Sequence, residues 1–167
     1  LVCVTARHAF GGEQPGNREI ADLEKKLETA SGEQKSNALI QLASIYRARN
    51  PQKSIRYVDR ALAVPGIKQY PVNEGRARIT KGEALSVMGK RDKALESFYR
   101  ARNILKKTGD PSGITDSLNA LGRFYRNKGF YNISLKYYLK AHDIIIRKGL
   151  NDKLATMYWH LGGLYIQ

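Results

Sequence analysis

Leu118-Asn119-Ala120-Leu121-Gly122-Arg123-Phe124-Tyr125, followed by Ser134-Leu135-Lys136-Tyr137-Tyr138-Leu139-Lys140-Ala141, is the stretch whose reading decides the fold. Within each half the apolar and small residues recur at three- and four-residue steps, the spacing of one helix face. Moving forty residues at a time finds the second half again. Ser134, Tyr138 and Ala141 are preceded by Ala94, Phe98 and Ala101, and those by Ser54, Val58 and Ala61. The first half recurs in step: Leu42-Ala43-x-x-Tyr46, Lys81-Gly82-x-x-Leu85, Leu121-Gly122-x-x-Tyr125 and Leu161-Gly162-x-x-Tyr165. Self-similarity at a fixed period of this length predicts an all-α solenoid of stacked antiparallel helix pairs, an architecture that normally binds partners.

The small residues carry the packing argument. Ala43, Gly82, Gly122 and Gly162 share one place in each first helix, and Ala61, Ala101 and Ala141 share one in each second helix. Helices approach to about 8–10 Å only where the contact side chains are small. A glycine inside a helix costs about 1 kcal/mol relative to alanine, so its recurrence at one phase implies compensating close packing.

Punctuation sets the boundaries. Asn17 is read as the cap of a first helix through about Ala30, with Ile20, Leu23 and Leu27 on one face. Helices are then expected over about 33–49, from Pro51 onward, and over about 72–88, 92–106, 112–127 and 131–147, with a last one from about Asn151 to Gln167. Gly89, Gly129 and Gly149 stand where helix-ending glycines belong. Residues 1–16 read as a linker or the remnant of a secretory signal: Leu1-Val2-Cys3-Val4 is apolar, and Val4-Thr5-Ala6 offers the small residues that precede cleavage. Residues 17–167 form the helical domain. The last helix has no second helix after it, which predicts either that the natural protein continues beyond Gln167 or that this uncapped end pairs with another copy.

The pattern large-x-x-Leu-Gly-x-x-Tyr, then Ala-x-x-x-Phe-x-x-Ala, resembles the tetratricopeptide repeat from about Glu33 to Gln167. Lys81 and Leu85 depart from it in the second unit, and serine replaces alanine at 54 and 134. The forty-residue period is similar to the long form of the repeat in bacterial sensor and regulatory proteins. The resemblance implies a right-handed superhelix of three complete repeats, preceded by one helix and followed by the first helix of a fourth. It implies a protein or peptide ligand held in the concave groove, as part of a larger signalling protein. Placement outside the cytoplasm of a bacterium follows from that likeness and the signal-like start; the alternative is a cytoplasmic regulator.

Charge narrows the choice of partner. Lys and Arg total 29 against 15 Asp and Glu, a net of +14. The excess lies downstream: 7 basic against 6 acidic residues over 1–50, 14 against 6 over 51–110, and 8 against 3 over 111–167. Such a field favours acidic partners. The single cysteine, Cys3, excludes an internal disulfide framework. No nucleophile elbow, phosphate loop or His/Cys metal spacing occurs, so neither enzyme activity nor a cofactor is expected.

Counted from the Leu-Gly phase, the groove face carries Gln41, Ser44 and Arg47, then Arg76, Thr80 and Glu83, then Asn119, Arg123 and Arg126, and finally Trp159, His160 and Gly163. Arg47, Arg76, Arg123 and Arg126 suit the carboxylates of an acidic peptide, because guanidinium forks bind them bidentately. The resemblance implies that Asn119 hydrogen-bonds a ligand backbone. Trp159 is read as an aromatic anchor on the groove or as a ring covered by a following helix, and His160 as a surface histidine. Nucleic acid ranks behind peptide: Tyr99 and Tyr137 are the aromatics left to stack bases beside basic residues once Phe98, Tyr125 and Tyr138 are assigned to the core.

Overall fold

The structure, a computed structural model, describes residues 15–165. The segment read as linker or signal remnant therefore lies almost wholly outside the described residues, as do residues 166 and 167.

Eight α-helices follow one another: α1 (Pro15–Thr29), α2 (Gly32–Tyr46), α3 (Pro51–Leu62), α4 (Pro71–Val87), α5 (Arg91–Thr108), α6 (Pro111–Asn127), α7 (Tyr131–Lys148) and α8 (Leu154–Tyr165). Short 3₁₀ turns at Ile67–Gln69 and Asn151–Lys153 lead into α4 and α8. The helices pack as sequential, antiparallel-like pairs, α2 with α3, α4 with α5 and α6 with α7. Contacts of α2 with α4 and of α4 with α6 join the pairs.

Local chemistry explains the starts and stops. Pro51, Pro71 and Pro111 each open a helix, where the missing N–H costs nothing. Asn50 Oδ1 accepts the Lys53 amide at 2.9 Å, and the Asp110 carboxylate accepts the amides of Ser112 and Gly113 at 3.2 and 2.8 Å. At the end of α7, Gly149 takes φ +65°; its N–H donates to Ile146 O while that of Leu150 reaches back to Ile145 O. One boundary expectation changes. Asn17 lies inside α1 rather than capping it, because α1 begins at Pro15. Between Pro65 and Pro71 a 3₁₀ turn at Ile67–Gln69 buries Ile67.

Aromatic rings seat on glycines between paired helices. A Cβ on Gly82 would stand 2.6 Å from the Phe98 ring, and one on Gly122 would stand 2.4 Å from the Tyr138 ring. In the first pair the corresponding residues are Ala43 and the smaller Val58, both fully buried. The serines at 54 and 134 add a polar tie: Ser54 Oγ donates to Ala43 O at 2.7 Å and Ser134 Oγ to Gly122 O at 2.8 Å. Ala94 fills the same place in the middle pair without that bond. The core runs as three clusters along the molecule. They centre on Leu39, Leu42 and Val58, then on Phe98, Leu105 and Phe124, and then on Leu118, Tyr138 and Met157.

Candidate functional site

Residues three and four apart on a helix share a face. Ile40 and Ser44 on α2 with Arg47 at its C-cap, Arg76, Ile79, Thr80 and Glu83 on α4, Asp116, Asn119 and Arg123 on α6, and Thr156 and His160 on α8 obey that spacing. Together they line a cavity of about 280 Å³. Four helices separated in sequence thus contribute one face each to a common space.

Two carboxylates organise its charge. Glu83 Oε2 accepts from Arg47 Nη1 at 2.7 Å, while Glu83 Oε1 accepts from Arg123 Nη2. One acidic side chain on α4 therefore holds arginines from the helices on either side of it. Asp116 plays the parallel part: Oδ1 accepts from Lys153 Nζ, and Oδ2 lies 4.0 Å from Arg76 Nη2. Three arginines and a lysine share two carboxylates, leaving positive charge in excess. The side chains of Arg47 and Arg76 remain 41% and 46% exposed, within reach of a ligand. Burial first, and then repulsion from Arg47 and Arg126, pushes the Arg123 guanidinium below its ordinary value. The Asn119 Oδ1 atom is buried and meets no donor among the described residues.

Of the expected ligand-binding residues, Arg47, Arg76, Asn119 and Arg123 come together at this cavity. Arg126 and Trp159 do not line it and pair with each other instead. The Arg126 guanidinium lies 5.4 Å from the Trp159 ring centroid, and that ring is 66% exposed. Arg123 and Arg126 thus diverge, the first toward Glu83 and the second toward Trp159.

His160 corrects the expectation of a surface histidine. It is 4% exposed and stacks on Tyr138 with ring centroids 5.2 Å apart. Burial first, and then Arg123 and Arg126, depresses its pKa to about 4, so the imidazole is neutral near pH 7. The forty-residue register carries the signal for this, since His160 falls where Ala120, itself buried, stands in α6. Asp116, Lys153 and Thr156 join the site unexpectedly. Asp116 was legible in principle, three residues before Asn119 on the same face, whereas Lys153 reaches in from a turn.

The tyrosines considered for base stacking are engaged with one another. Tyr99 Oη lies 2.9 Å from Tyr125 Oη and 3.4 Å from Tyr137 Oη, and the Tyr125 and Tyr137 rings stack at 5.6 Å. Burial, then the Tyr99 hydroxyl, pushes the Tyr125 phenol up to about 12 and raises that of Tyr137 too. Among the described residues no group of three or more His, Cys, Asp or Glu is placed to hold a metal ion. No described helix is long and apolar enough to cross a membrane. No family model matches the chain, and no curated protein matches it.

Proposed function

We propose that this chain is a tetratricopeptide-type, right-handed solenoid that binds a protein or peptide with acidic side chains, as the interaction or sensory part of a larger bacterial signalling protein. The α2, α4, α6 and α8 faces form the concave groove in this reading. One observation carries it: arginines from three helices converge on one cavity with too few carboxylates to match them. The more exposed Arg47 and Arg76 supply the first contacts to an incoming carboxylate. Asn119 supplies polar hydrogen bonding deeper in.

The test is titration of the chain with an acidic peptide and with the same peptide carrying Asn and Gln in place of Asp and Glu, following the emission of Trp159, the single tryptophan. Binding of the acidic form alone, lost in Arg47→Glu/Arg76→Glu with helicity retained, is the expected result. Equal affinity for both peptides, or full binding by the double variant, would move the site elsewhere. A nucleic-acid partner would instead show log affinity falling steeply and linearly with log salt. Placement outside the cytoplasm belongs to the same proposal, and fractionation of cells making the full-length protein tests it.

A further inference from the structure

The side of α4 turned away from the groove borders a second cavity. At about 100° per residue, Arg78, Lys81 and Leu85 stand opposite Arg76, Thr80 and Glu83 on that helix. The space measures about 380 Å³, larger than the groove cavity. Arg78, Lys81, Lys90, Lys93 and Arg100 bring five cations to its lining, and Glu96 brings one carboxylate. Three of the cations are already matched: Glu74 holds Arg78 at 2.7 Å, Asp59 holds Lys81 at 2.7 Å and Glu96 holds Arg100 at 2.6 Å. Lys90 and Lys93 make no ion pair among the described residues. Both also break a local rule. Lys90 is the N-cap of α5, where an acceptor side chain belongs, and it makes no capping hydrogen bond. In the forty-residue register its place is that of Asn50, which does cap α3. Lys93 stands three residues further on, at the positive end of the helix dipole, where an acidic side chain is favoured.

We propose that this cavity binds a small phosphomonoester. The unmatched charge is that of two lysines, and a phosphoryl monoester carries about −1.5 to −2 at pH 7. Lysine ammoniums hold phosphate as point charges, without the fixed fork that a carboxylate-binding arginine presents. Asp92, the acidic residue in the first turn of α5, does not line the cavity and leaves that charge uncancelled. Ile55 and Leu85 supply apolar surface beside the cations, which selects an organic body over the bare ion, and the volume has room for one. A phosphoryl group between Lys90 and Lys93 would relieve two cations that the end of α5 disfavours.

The site shares no residue with the groove cavity, so it stands or falls apart from the peptide reading. Calorimetric titration of the 167-residue chain compares three probes: phenyl phosphate, phenyl sulfate of the same shape with one charge fewer, and inorganic phosphate. The titrations are run at about 0.15 M salt, where distant charges are screened. Phenyl phosphate should bind saturably and several times more tightly than either of the others. Lys90→Gln/Lys93→Gln should weaken it about tenfold, as the loss of two exposed ion pairs would, with the circular dichroism unchanged. Lys90→Arg/Lys93→Arg and the groove variant Arg47→Glu/Arg76→Glu should both retain it. Equal affinity for phenyl sulfate or for inorganic phosphate, no saturable binding of phenyl phosphate, or full binding by Lys90→Gln/Lys93→Gln overturns the proposal.

Discussion

α6 and α8 carry the same sequence pattern, Leu-Gly-x-x-Tyr, and meet opposite surroundings. On α6 the glycine is a seat: α7 lies across it, the Tyr138 ring fills the space and Ser134 ties the Gly122 carbonyl. On α8 a Cβ at the equivalent Gly162 would meet nothing within 4 Å among the described residues, and Tyr158, one turn before it, is 56% exposed. A residue type therefore has no fixed energetic meaning. Glycine is destabilising in a helix by itself and necessary where a ring must approach the backbone, and only the neighbour decides which applies.

The largest contrast should come from the rings. Tyr138→Ala removes a fully buried side chain and should cost about 3–5 kcal/mol in urea unfolding. Tyr158→Ala, measured at concentrations too low for self-association, should cost about 0.5 kcal/mol or less, as surface substitutions do. Comparable losses would mean that α8 is covered after all. A second contrast reverses sign. Gly122→Ala drives a methyl into the Tyr138 ring and should destabilise by about 1–3 kcal/mol through overpacking. Gly162→Ala should stabilise by up to about 1 kcal/mol through helix propensity alone. Two substitutions of the same sign would break the comparison.

A third contrast concerns His160, which stands on α8 where α6 has Ala120. Its pKa is held near 4 in the folded protein, below the roughly 6.5 of an unperturbed histidine. Between those values the unfolded chain binds the extra proton, so stability rises with pH. The contribution is complete above about pH 6.5 and is lost as pH falls toward 4. His160→Gln should flatten the unfolding free energy across that window relative to the unaltered chain. A slope identical in both would show that the imidazole is not the titrating group.

Much of this was legible in the sequence because the packing is periodic. The seats at Gly82 and Gly122, their rings at Phe98 and Tyr138, and the shared face of Arg47, Arg76, Asn119 and Arg123 all follow from counting. Pairing was not legible. Glu83 lies 36 residues from Arg47 and 40 from Arg123, and its two oxygens meet both arginines only because α4 runs between α2 and α6. The buried state of His160 was misread for a related reason. Residue type suggested a surface position, while register with Ala120 dictated the interior. Lys153 escaped notice because it comes from the 3₁₀ turn before α8, where helical periodicity gives no guidance.

The doubly held carboxylate of Glu83 sets a threshold for whatever enters the groove. An anion approaching Arg47 or Arg123 competes with a rival that never diffuses away, whose local concentration is on the order of millimolar or more. Under the proposed function, small monoacids at lower levels would leave the arrangement untouched. On that reading, species carrying denser or repeated negative charge would engage Arg76 and Arg47 together, and so win where a solitary acid group does not.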